Sequence, residues 1–146
     1  MLDRRKFYMR KASKIIFLVA GILSIVCAVG YLVTGLVYVI LPNTDVWAEV
    51  CNEIMKDNPS LKPADMEAIK TIVVTCGVLF LISVAFAGVN SFFSFKAWKQ
   101  EKPSKALNVL NIVFGVLSGV IVNIVAAIFA FVANGQEERR AAIEKK

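Results

Sequence analysis

Histidine is absent from the 146 residues, and cysteine occurs three times, at Cys27, Cys51 and Cys76. Without imidazole, the side chain best suited to general-base work near neutral pH and the usual nitrogen ligand of zinc are both missing. The cysteines are odd in number, far apart and without CxxC spacing, so they read as small buried hydrophobes and not as a metal cluster. No proline falls inside the long apolar stretches; Pro42, Pro59, Pro63 and Pro103 all stand outside them. Charge is missing in a pattern. The runs 15–41, 71–95 and 106–133 hold no Asp, Glu, Lys or Arg, although such residues make up 19% of the chain. Transporters and pumps keep ionisable groups at membrane depth because function requires them there, so uncharged runs discourage a carrier. Unbroken by proline, they give no signal of a broken-helix ion site either.

What is present is apolar. The hydrophobic fraction is 58%, above the ~45–50% of soluble domains, and a chain this short cannot bury such an excess within itself. Each uncharged run exceeds the ~20 residues that cross a ~30 Å hydrocarbon core, and none has the double length that two crossings require. The first run is far longer than the ~7–15-residue core of a cleaved signal peptide. The predicted fold is therefore all-α. It is a single integral membrane domain over 1–146, a three-helix bundle of spans 15–41, 71–95 and 106–133 with a short extracytoplasmic amphipathic helix.

The charges gather in four blocks. Residues 1–14 hold Arg4, Arg5, Lys6, Arg10, Lys11 and Lys14 against Asp3. Loop 42–70 is acidic, with Asp45, Glu49, Glu53, Asp57, Asp65 and Glu67 against Lys56, Lys62 and Lys70. Loop 96–105 carries Lys96, Lys99, Lys102 and Lys105 against Glu101, and the tail 134–146 mixes both signs. Short cytoplasmic flanks are enriched in Lys and Arg. That rule predicts a multi-pass plasma-membrane protein with a cytoplasmic N-terminus, loop 42–70 outside, loop 96–105 inside and the C-terminus outside. The basic run before the first span suits anionic headgroups better than nucleic acid, and Trp98 between lysines suits the interface.

Loop 42–70 has order of its own. Pro42 and Asn43 stop the first helix, and 45–57 repeats its apolar residues at helical spacing. Val46, Trp47, Val50 and Ile54 form a face fit for docking a partner, with Asp45, Glu49, Glu53 and Asp57 on the other side. Pro63 suits the first turn of a new helix, which runs on into the second span.

The third run carries the sharpest pattern. Asn111, Gly115, Gly119, Asn123 and Ala127 recur every four residues, which on one helix makes a single row, and Gly115–Gly119 is a GxxxG that admits a close neighbour. The row packs on the chain's own other spans, on a second copy, or along a pore. Matching stripes lie on the first run (Ala20, Ser24, Cys27, Tyr31, Thr34, Tyr38) and the second (Ser83, Ala87, Asn90, Ser94). Asn134-Gly135 reads as a helix end.

Six carboxylates and Ser60 share loop 42–70, but with no base beside the serine they read as solvated faces. No catalytic, metal or cofactor residue is assigned. The segment 126–134 (AAIFAFVAN), followed by Glu137-Glu138-Arg139-Arg140, resembles the last span of small, uncharacterised membrane proteins of Gram-positive bacteria. That resemblance implies a bacterial plasma membrane, and in those proteins an inside C-terminus and often four spans. The expected function is non-catalytic: an accessory subunit, scaffold or immunity-type protein acting on a membrane-protein partner or by self-association within the lipid bilayer. The alternatives are a holin-like pore-former and a small-molecule carrier subunit.

Overall fold

A computed structural model describes residues 2–144, all of whose regular structure is helical. In chain order these are α1 (Leu2–Ile40), a 3-10 turn (Leu41–Asn43), α2 (Val46–Asp57), α3 (Pro63–Lys99), α4 (Lys105–Leu117) and α5 (Val122–Glu144). No strand occurs among the described residues. Two helices, α1 and α3, are long and apolar enough to cross a membrane, with 18-residue windows of mean hydropathy 2.7 and 2.6. Only 22% and 11% of those windows are buried, so neither is the enclosed core helix of a globular protein.

The helix ends follow local chemistry. Pro63 opens α3 where its missing N–H costs nothing. Asp65, two residues on, accepts from the Lys62 N–H at 2.7 Å, one half of a capping box. Ser104 caps α4, its side chain accepting from the Leu107 N–H at 3.2 Å. Lys96 and Lys99 close α3 at the negative end of its dipole.

The chain forms two compact units, residues 29–84 and residues 1–28 with 85–146. In the 29–84 unit, α1 and α3 touch backbone to backbone at two glycines. A Cβ on Gly77 would sit 2.9 Å from both Tyr38 Cβ and Val39 Cγ2, and one on Gly35 would sit 3.0 Å from the Gly77 carbonyl. Beside this contact Phe80 stacks on Tyr31 and meets Tyr38 edge-on, each pair of ring centres 5.9 Å apart. Neither Gly35 nor Gly77 belongs to the stripes expected as packing faces on the first and second runs.

The second unit departs furthest from expectation. The single helix predicted over 106–133 is two helices, α4 and α5, folded back on each other. Its hinge is Gly119, whose φ of 71° lies in the left-handed region. The Val120 N–H reaches the Gly115 carbonyl at 2.8 Å and the Gly119 N–H the Val116 carbonyl at 3.1 Å. These are the paired bonds of a Schellman motif, which close a helix C-terminus by satisfying its last carbonyls. At the open end Lys105 Nζ meets Glu138 at 3.1 Å, and Asn134 Nδ2 donates to the Pro103 carbonyl at 2.9 Å. A straight helix would separate residues 105 and 138 by about 50 Å, so the arms are antiparallel. Asn134-Gly135 is likewise no helix end, since α5 continues to Glu144.

The core of this unit is Phe17, Ala97, Leu107, Ala126, Ala127 and Ala130, with Ile16, Phe93 and Ile112 packed against it. Alanine lines the buried face of α5, which lets neighbouring backbones approach closely.

The turn makes a sharp test of the hairpin. Gly119→Val forces a β-branched residue into the left-handed region and is expected to cost about 1–3 kcal/mol. Gly119→Asn, a residue that tolerates that region, is expected to lose distinctly less. Val116→Ile is expected to be silent, because Val116 is 63% exposed. Thermal unfolding in detergent measures all three; equal losses at 119 for Val and Asn would refute the left-handed turn.

Candidate functional site

The hairpin brings together what a straight helix would keep apart. Asn111 on α4 and Asn123 on α5 would lie about 18 Å apart along one helix, yet their side chains approach to 3.5 Å, Asn123 Nδ2 to Asn111 Oδ1. Around them all four helices of the unit contribute a polar side chain, and Ser24, Asn90, Ser94, Asn111 and Asn123 are fully buried. Asn123 Nδ2 donates to Asn90 Oδ1 and to Ser94 Oγ, the latter at 2.9 Å. Asn90 Nδ2 in turn donates to Ser24 Oγ at 2.9 Å, and the Ser24 hydroxyl ends the chain on the Ala20 carbonyl at 2.8 Å. Ser94 Oγ lies 2.7 Å from the Asn90 carbonyl and 3.1 Å from Asn111 Oδ1. Asn111 Nδ2 donates back to the Leu107 carbonyl at 2.9 Å.

The network is neutral throughout, so it neither titrates nor carries net charge. Asn123 Nδ2 has two hydrogens but three acceptors within 3.5 Å, while its Oδ1 has no partner. Asn108, also fully buried, is unpartnered at both Oδ1 and Nδ2. Away from the centre, Ser13 Oγ donates to the Ala126 carbonyl at 3.2 Å and Ser91 Oγ to the Gly21 carbonyl at 3.0 Å, adding ties from α1 to α5 and to α3.

An ionic cluster sits on the same unit. Glu137 pairs with Arg10 and, at 3.0 Å, with Lys102, joining α1, the 100–104 loop and α5.

Of the row expected on the third run, Asn111, Gly115, Asn123 and Ala127 are buried, but on two helices instead of one. Gly115 makes room within the hairpin, since a Cβ there would sit 3.0 Å from Asn123 Cβ and 3.2 Å from the Val120 carbonyl. Gly119 packs on nothing of the kind: it is exposed and serves the turn. On the other stripes, Ala20, Ser24, Ala87, Asn90 and Ser94 are fully buried, while Tyr38 is 38% exposed. Sequence reasoning missed the break. Its signal was Gly119 itself, beside Ser118 in the middle of the run and able to adopt the left-handed conformation that ends a helix.

The residues expected to form a docking face lie in the 29–84 unit. Val46 is exposed, Trp47, Val50 and Ile54 are half-buried, and Cys51 between them is buried. Asp45, Glu49, Glu53 and Asp57 are exposed, and none makes an ion pair among the described residues. All three cysteines are free thiols. Compared with family models, curated proteins and solved structures, the chain matches none.

The network's role is open to measurement. Asn123→Leu removes its central donor, strands Asn90 Oδ1, and is expected to cost about 1–3 kcal/mol. Asn52→Ala on the exposed face of α2 is expected to stay within about 0.5 kcal/mol. In a double-mutant cycle, Asn90→Ala and Asn123→Ala are expected to couple by about 0.5 kcal/mol or more. Strict additivity would show that the two amides act independently.

Proposed function

We propose that the chain is a multi-pass protein of a bacterial plasma membrane that acts without catalysis, by binding a membrane-protein partner through α2. Membrane residence is supported by the exposed apolar surface of α1 and α3, where Val26, Val29, Ile72 and Leu79 are all more than half exposed. Soluble monomers rarely expose contiguous apolar patches beyond a few hundred Å². In this reading α1 and α3 span the bilayer and the hairpin does not. Its arms carry about 20 Å of apolar helix each, short of the ~30 Å core, so the chain enters and returns on one side.

The C-terminus then lies on the cytoplasmic side with the N-terminus, not outside as a third span would put it. Charge supports this topology. All but three of the 17 Lys and Arg residues fall on the cytoplasmic side, as the positive-inside rule asks.

The observation that carries the binding role is the contrast between interior and surface. The amides and hydroxyls at the centre are spent largely on one another, whereas the carboxylates of α2 are exposed and unpaired. An acidic helix is repelled by anionic lipid but suits a basic extracytoplasmic segment of another protein. Val46 and the half-exposed edges of Trp47, Val50 and Ile54 add apolar area beside it.

Two experiments test the reading. In a cysteine-free background, a membrane-impermeant thiol reagent outside intact cells is expected to modify Asn52→Cys and to spare Ala141→Cys. Labelling at 141 would place the tail outside and restore the third span. A photo-cross-linker at Glu49 or Trp47 is expected to give one discrete adduct in native membranes, lost in the Glu49→Lys/Glu53→Lys variant. Absence of an adduct, or release of cytoplasmic markers on overexpression, would overturn the binding role, the second in favour of a pore.

A further inference from the structure

A second recognition feature lies in the unit that holds the hairpin. A cavity of about 350 Å³ is lined by Phe7, Arg10, Lys11, Lys14 and Glu101. Positions 7, 10, 11 and 14 share one face of α1 by helical spacing, and Glu101 comes from the loop after α3. Lys11 and Lys14 make no ion pair among the described residues. The guanidinium of Arg10 is tied to Glu137 through Nη2, yet its Nε is buried and unpartnered. The pocket thus offers two ammonium groups with the Arg10 side chain in its wall, set immediately before Ile15, where the uncharged run of α1 begins.

We infer that this pocket holds the phosphodiester headgroup of an anionic phospholipid, an inference that rests on the membrane reading above. Lys11 and Lys14 supply donors to the phosphate oxygens and the Arg10 guanidinium adds positive charge beside them, as basic pockets beside cytoplasmic helix ends do. Glu101 decides between the two sources of such a phosphate. A carboxylate in the wall opposes a free phosphate dianion, but it accepts a hydrogen bond from the hydroxyls of a glycerol headgroup, which carries a single negative charge. Phe7, 64% exposed, gives the lipid backbone an apolar edge. Lys96 and Lys99 lie near the end of α3 and do not line the cavity, so they report on general attraction to a charged surface.

The test uses the full chain in neutral detergent, with retained lipid counted by native mass spectrometry. Phosphatidylglycerol and phosphatidylcholine are titrated separately, and inorganic phosphate in a third arm. The wild type is expected to retain one phosphatidylglycerol at least tenfold more tightly than phosphatidylcholine, and to ignore millimolar phosphate. Lys11→Ala/Lys14→Ala is expected to lose that preference at least tenfold, and Lys96→Ala/Lys99→Ala to keep it. Glu101→Gln is expected to admit inorganic phosphate. Equal losses in the two lysine pairs would show diffuse attraction and overturn the pocket, as would equal retention of the two lipids. Competition by phosphate in the wild type would assign the pocket to a free anion instead. Resistance to carbonate extraction is scored in parallel, so failure of the membrane reading shows itself as release of the wild type, whatever its lipid preference.

Discussion

Buried amides gain from hydrogen-bonding to one another, and in this chain a network of them ties together the four helices of one unit, although Asn108 stays outside it. Asn90, Asn111 and Asn123 sit at zero exposure, where an unpaired amide costs several kcal/mol in apolar surroundings. Asn123 meets Asn90, Ser94 and Asn111 because α4 and α5 fold back beside α3, whereas Asn90 also reaches Ser24 of α1 and Asn111 the Leu107 carbonyl of its own helix. The Schellman turn at Gly119, the alanine face of α5 and the room left at Gly115 are the steric conditions for that meeting. The same amides tie Ser24 of α1 into the centre. Removing the turn would separate the polar groups; removing the polar groups would leave the turn closing a hairpin with little specificity.

Much of the helical layout was legible. The uncharged runs announce α1 and α3, Pro63 marks where α3 begins, and the apolar spacing over 45–57 outlines α2 within one residue. The third run misled because one residue type serves two purposes. Glycine four residues from glycine signals close helix packing, and glycine in a left-handed turn ends a helix; the letters at 115 and 119 are the same in both. Gly115 proved to serve the first purpose and Gly119 the second. Nothing local separates them, since Ser118-Gly119 lies among Val, Leu and Ile with no proline or charge to mark a break. The decision is tertiary. Likewise the stripe on α1 anticipated Ser24 but not Gly35, whose role depends on Gly77 some forty positions away.

The two units use different means of bringing helices together. In the 29–84 unit, backbone meets backbone at Gly35 and Gly77, with Phe80 between two tyrosines; dispersion and shape do the work. In the other unit, hydrogen bonds among amides and hydroxyls are added to small-residue packing, and ion pairs at Glu137 and Glu138 tie the ends of the hairpin. Neutral networks of this kind specify one arrangement without the desolvation cost of buried charge.

The left-handed turn at Gly119 also bears on biogenesis. A third spanning helix would have to deliver Glu137, Glu138, Arg139 and Arg140 through the hydrocarbon, a transfer that costs on the order of 3 kcal/mol per charged group even by permissive scales. A hairpin that dips in and returns leaves all four in cytoplasmic water throughout synthesis. In the proposed topology, the last forty residues can therefore settle against α1 and α3 after those helices have been inserted.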